Sequence, residues 1–234
     1  MRMYSADGRS RWPWVIGALV LAVIIAGVVV FTTTRGTGHP AAAAPPTVTV
    51  TPTPTPSVDE SGASDEDPTG CLGGPNYDAT SVLTAQKAAP DTQDGAVEVA
   101  AAFYRFWFQY PYASVAQQKQ VATALRSSSS PAAMWTPTTN ANTGDNPTKS
   151  VLPAGTHFTM STVNGLWRAT STSNGELIVD LAAGYVVDGA LSPTKVGVLG
   201  FYMKWENGAW KVVEGHVVDQ QALAADGTHF IAGC

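Results

Sequence analysis

Three hydrophobic regimes divide the chain. Residues Trp12 to Phe31, WPWVIGALVLAVIIAGVVVF, form a run of twenty positions without a charge. At 1.5 Å rise per residue such a run spans about the 30 Å of a bilayer's hydrocarbon core, which predicts a transmembrane helix over 12–31. From Thr32 to Thr69 apolar periodicity disappears, and Pro, Thr, Gly and Ala give way to the acidic run DESGASDEDP. From Gly70 onward it returns, first with a helical period and then with alternation.

In the folded part, DTQDGAVEVAAAFYRFWFQYP predicts a long helix with Asp94 as N-cap and a stop before Pro111. Val97, Ala101, Tyr104 and Trp107 or Phe108 recur at spacings of three and four, and Val99, Phe103 and Phe106 form a second stripe. A helix apolar nearly all round is buried on more than one side. A second helix is predicted over SVAQQKQVATALRS with Val115, Val121, Ala122 and Leu125 inward, and a weaker one over DATSVLTAQKAA. After the Ser- and Asn-rich loop Ser127–Ser150, alternation takes over, and SNGE, VDGA and ENGA each place Gly after Asn or Asp, the pairing that tight hairpin turns require. Four antiparallel strands in a meander follow, with Val198, Phe201 or Tyr202, and Trp205 in a half-buried pleat and Trp210 and Val212 sharing a face. Helices first and a curled sheet afterwards give an α+β domain over 70–234.

Charge orients the chain. Arg2, Arg9 and Arg11 precede the apolar run against a single Asp7, so residues 1–11 are expected to be a cytoplasmic tail and the domain to lie outside the cell membrane. The rival is a cleaved signal peptide with small residues at Ala41 to Ala44. Its apolar core would be about 7–15 residues and would run almost directly into the cleavage site, which this one does not. Residues 32–69 then read as a linker. PPTVTVTPTPTPS favours polyproline II, the acidic part extends by self-repulsion, and the whole reaches about 100 Å. The Thr-rich repeat is also the composition of glycosylated stalks. The domain itself carries nine Lys and Arg against twelve Asp and Glu with no basic block, which disfavours nucleic-acid contact.

Two cysteines, Cys71 and Cys234, mark the two margins of the domain. IAGC at the very end is neither a lipobox, which follows an export signal, nor a prenylation box, which needs three more residues. Outside the cytoplasm the pair is expected to form a disulfide closing almost the whole domain, the alternative being a frayed tail with a free or intermolecular thiol.

Chemistry-bearing patterns are sparse. His39, His157, His216 and His229 lack metal-ligand spacing, Ser128 to Ser130 lack a nucleophile elbow, and CLGGP lacks the strand and lysine-bearing helix of a phosphate loop. An enzymatic reading would need a buried acid beside a phenol. Asp180 in LIVDLAAGY is the best acid, with Tyr104, Tyr110, Tyr185 and Tyr202 as phenols, although alternation also suits an outward Asp180. No catalytic residue, cofactor or metal is assigned. A binding reading rests on Trp107, Tyr110, Tyr112 and Trp135, with Trp107 also suited to core packing and Tyr112 and Trp135 nearer to loops.

The succession AVEVAAAFYRFWFQY, a second helix and the closing hairpin FYMKWENGAWKVVEG resembles the cystatin-like roll of the nuclear transport factor 2-like superfamily. With a single-pass anchor and actinobacterial-looking composition, the plan resembles the bitopic assembly subunits of conjugative type IV secretion systems. The Mce-associated membrane proteins of mycobacteria are similar in plan. The resemblance implies a non-catalytic assembly or adaptor subunit of a cell-envelope machine. Its partners would be other envelope proteins or, in a homo-oligomer, further copies of itself. The Mce-associated likeness implies instead a module for a lipid or glycan.

Overall fold

The computed structural model describes residues 67–139, 148 and 151–234. The expected transmembrane helix and all of the linker up to Glu66 lie outside the described residues. Among the described residues no helix is long and apolar enough to cross a membrane. The elements are α1 (Ala79–Ala88), α2 (Gln93–Trp107), α3 (Val115–Leu125), a short 3-10 turn (Ala132–Trp135), β1 (Phe158–Ser171), β2 (Leu177–Val187), β3 (Ala190–Glu206), β4 (Ala209–His216), α4 (Gln220–Asp226) and β5 (Thr228–His229). The strands form one antiparallel sheet in the order β4-β3-β2-β1-β5, so the expected α+β plan of helices on an antiparallel sheet is observed.

Every residue of α2 from Gly95 to Phe106 is buried, as its two apolar stripes require. Phe103 packs edge-on against Phe201 of β3, with ring centroids 5.2 Å apart, and Val179, Leu181 and Tyr185 of β2 join the same core. The N-cap is Thr92 rather than Asp94: its hydroxyl accepts from the N–H of Gly95 at 3.1 Å. Gly95 is what lets the helix begin there, because a Cβ on it would stand 2.2 Å from the carbonyl oxygen of Pro90. In α3, Val121 and Leu125 are fully buried, but Val115 is 37% exposed and does not face inward. It is the first residue after the N-cap Ser114, before the helix has turned its apolar side to the core.

The hairpin turns form where Asn-Gly and Asp-Gly stand, with Asp188 and Gly189, and Asn207 and Gly208, all at positive φ. Of the expected inward residues, Phe201, Trp210 and Val212 are buried while Tyr202 lies on the opposite face. β4 ends at the pair Gly200–His216, so Ala190–Leu199 of β3 pairs only with β2 among the described residues. Pro193, without an N–H, and Lys195, whose Nζ donates to the Val151 carbonyl at 3.0 Å, guard that edge. β4's own outer edge is covered by the end of α3, through a bridge of Arg126 to Val212 and a bond from Ser127 N–H to the Val212 carbonyl at 3.1 Å.

The two ends of the domain meet. Cys71 and Cys234 form a disulfide with an S–S distance of 2.07 Å. Around it the tail and the leading segment pair through their backbones: Ile231 N–H donates to Pro68 and Gly233 N–H to Thr69. Thr162, on a bulge of β1, joins both by donating its hydroxyl to the Gly70 carbonyl at 2.8 Å and accepting from Cys234 N–H at 3.0 Å. From α2, the Glu98 carboxylate accepts from the backbones of Thr69, Gly70 and Leu72 and from the Thr69 hydroxyl. Two turns on, Arg105 donates to the carbonyls of Gly74 and Asn76. Packing therefore begins at buried Pro68, two residues inside the expected linker.

Candidate functional site

The four aromatic candidates separate into two groups. Trp107 stacks at 5.5 Å on Phe103 and meets Trp135 edge-on at 6.3 Å. Trp135 is not a surface residue: it is 7% exposed, and its ring N–H donates to the Ser130 hydroxyl at 2.6 Å. The Ser-rich loop that carries it folds back on the core because the 3-10 turn Ala132–Trp135 drives the indole between Phe103 and Trp107. Tyr110 and Tyr112 contact each other edge-on at 5.9 Å, both half-buried. Tyr110 is fixed by reciprocal backbone bonds with Phe158 of β1, at 2.9 and 2.8 Å. Tyr112 and Trp107 share a small recess of about 20 Å³ with Gln118 and Thr138, room for about one water molecule.

A larger concavity, an open groove of about 780 Å³, lies on the other side of the 132–138 segment. One wall is a single stripe of α3, Lys119, Ala122 and Thr123 at positions i, i+3 and i+4, continued at i+7 by Arg126, the residue that caps the helix. The other is Ala132, Trp135 and Pro137. The walls are held at fixed separation by Gln118. Its amide donates to the carbonyls of Ala113 and Thr138 at 2.7 Å each and accepts from Thr138 N–H at 2.8 Å. At the Arg126 end sits Glu206 from the β3–β4 turn, which accepts from the Ser127 hydroxyl at 2.8 Å and from Ser128 N–H at 3.2 Å. Those bonds, Ser127 first, hold the Glu206 carboxyl below its ordinary range although the residue is only half-buried. Lys204 and Lys211 face each other across the hairpin, and the Lys211 ammonium donates to the carbonyl of Ala124 near the C-terminus of α3, where a cation is favoured.

Asp180 is both outward and buried. It lies on the sheet face away from α2, yet is 1% exposed. A row of register partners crosses four strands there: Arg168, Asp180, Gly200 and His216. Arg168 donates to one carboxylate oxygen at 2.8 Å. The other oxygen is 3.6 Å from Nε2 of His216, which reaches over the side-chain-free Gly200. A Cβ at position 200 would stand 2.7 Å from that oxygen, so only glycine permits the row to close. Tyr202 stands edge-on to His216 at 5.2 Å. Tyr104 and Tyr185 lie on the opposite face, both hydroxyls around Gly197. Burial raises both phenols well above their usual range, and Tyr104 OH has no hydrogen-bond partner among the described residues. The sheet therefore separates the acid from these two phenols. Tyr110 bonds to β1 through its backbone, and Tyr202 shares the face of Asp180.

Sequence reasoning missed the groove, because none of its wall residues is unusual in type. One signal was readable: from Val99 through Gly144 there is not one Asp or Glu. It also missed Glu98 and Arg105, whose signal was two opposite charges placed i, i+7 on a helix otherwise apolar on every side. No protein-family model, curated protein or solved structure matches the chain.

Proposed function

We propose that this chain is a non-catalytic assembly or adaptor subunit of a cell-envelope machine, conjugative or secretory, anchored in the cell membrane through residues 12–31 with the α+β domain outside. In this reading the domain is a nuclear transport factor 2-like roll, with α2 as its long helix on the curled sheet, and residues 32–66 are the stalk. The observation that carries the proposal is the placement of the two ends of the surface. The clasp where the stalk would enter lies at the β5 edge, while the groove lies at the β4 edge. Four strand spacings of about 4.8 Å separate those edges by about 19 Å. A domain gripped at one edge and concave at the other suits a tethered part that meets partners away from its tether.

The test is photocrosslinking in intact cells with a reactive residue at Thr123, in the groove, and at Ser173, on the β1–β2 turn. Thr123 is expected to capture a discrete envelope protein and Ser173 not. Deleting the gene should abolish transfer or assembly, and Asp180→Asn should retain it if the fold is kept. Equal labelling at the two positions, or full transfer without the gene, sinks the proposal.

A further inference from the structure

The domain as a whole carries excess acid, so the surface around the groove stands apart. Lys119 and Arg126 occupy two ends of one stripe, seven residues apart, so that their backbone positions are separated by about 10.5 Å along the helix axis. Lys119 is exposed, and Arg126 spends one guanidinium nitrogen on the Ser130 carbonyl at 3.3 Å. Between them the floor is Ala122 and Thr123, small enough to admit a backbone. The facing wall offers Ala132 and Pro137 to aliphatic side chains. The sole carboxylate lining the groove among the described residues, Glu206, already accepts from Ser127 and Ser128. Lys204 and Lys211 behind it keep the hairpin end positive.

We infer that this groove receives an extended peptide segment of a partner protein, carrying two carboxylates three residues apart. In a polyproline II segment three residues span about 9 Å and bring the side chain back to the same face, close to the rise of about 10.5 Å between the Lys119 and Arg126 backbone positions. The small floor and the aliphatic wall favour a peptide over a phosphate polymer, which would supply charge but no apolar atoms for the wall. This rests on the reading of the groove as the partner surface, and adds the partner's chemistry to it. Exposed ion pairs are individually weak, so the segment binds modestly and in a salt-dependent way.

The test uses the full chain in nanodiscs and fluorescence polarisation. The probes are a fluorescein-labelled peptide of repeated Asp-Ala-Ala triplets and its Asn-Ala-Ala counterpart. The Asp probe is expected to bind and the Asn probe to bind about tenfold more weakly or not at all. Affinity should fall as salt rises from about 0.01 to about 1 M, where the screening length shrinks from about 30 to about 3 Å. Lys119→Glu with Arg126→Glu should lose at least about tenfold. Thr123→Trp, which fills the groove without changing charge, should do the same, and Lys195→Glu, in the part of β3 that β4 does not reach, should change nothing. Absence of Asp-probe binding, binding that both groove variants retain, or capture of polyphosphate in its place overturns the inference. If Thr123 still crosslinks an envelope protein in cells while the Asp probe fails, the assembly reading stands and only the acidic chemistry falls. If both fail, both fall.

Discussion

Replacing Cys71 and Cys234 together by serine tests what the clasp contributes. The bond closes a ring with a sequence separation of 163. The chain-entropy relation then gives an unfolded-state restriction of about 17 cal/mol/K, or about 5 kcal/mol at 25 °C. For a domain of this size that corresponds to a fall in Tm of about 10–20 °C. Urea unfolding of the full chain in detergent micelles, followed by tryptophan fluorescence, measures it. The midpoint should drop, and the m-value should rise, because an unfolded chain without the crosslink exposes more surface. Amide exchange separates the global effect from local fraying. The bonds from Ile231 and Gly233 to Pro68 and Thr69 should open first in the double variant, while β2 keeps its protection up to the new global limit. A loss below about 1 kcal/mol, or two thiols that alkylate in unreduced denatured protein, refutes the reasoning.

Three further outcomes follow from the buried groups. Arg168→Ala strands the Asp180 carboxylate beside His216 alone and should cost about 3 kcal/mol in urea unfolding. That is the low end for a broken buried pair, because Arg168 is itself one-quarter exposed; an unchanged midpoint would deny the pair any role. Glu206 has a depressed pKa, so its contribution is complete above its ordinary value of 4.5 and is lost as pH falls through the depressed value. The protection factor of the Ser128 amide, with intrinsic exchange divided out, should therefore fall only under acid, and Glu206→Gln should lower it at neutral pH; a pH-flat protection factor contradicts this. Tyr104 and Tyr185 have raised pKa values, so the folded state is favoured below the unfolded phenol's pKa of about 10 and loses that preference above it. Ultraviolet titration should show these two phenols ionising only with unfolding, and reversible ionisation in a native protein would count against their burial.

What was legible in the sequence were the features coded by neighbours. Two apolar stripes at helical spacing gave α2, and the Asn-Gly and Asp-Gly pairs gave the hairpins, because 3.6-residue periodicity and positive φ leave their mark on consecutive residues. The disulfide was legible from the expected compartment and from the position of the two cysteines at the margins of the domain. α4 and β5 were not, since QQALAAD has a single buried residue, Leu223, and β5 is two residues recruited by β1. The burial of Asp180 depends on Arg168, Gly200 and His216, each on a different strand. Trp135 was misplaced because a Ser- and Asn-rich stretch has no period to show which side chain turns inward. Glu98 gave no sign of its role, because its partners are chiefly backbone N–H groups, which no residue type announces.

The clasp also governs how the domain would carry a pull. Tension arriving from upstream of Asp67 can peel only Pro68 to Gly70 before it meets a covalent bond. Beyond Cys71 it divides. One route runs through α1 and α2 to α3; the other crosses the sulfurs, enters the tail, and returns through the sheet to α3 from its far side. The routes act as springs in parallel, so α3 cannot be drawn away from the upstream chain until helices and sheet give way together. A chain without the bond would shed α1 and α2 first, each at its own lower force. Single-molecule stretching between an upstream handle and one at Thr123 would read the difference as one rupture against a sequence of smaller ones.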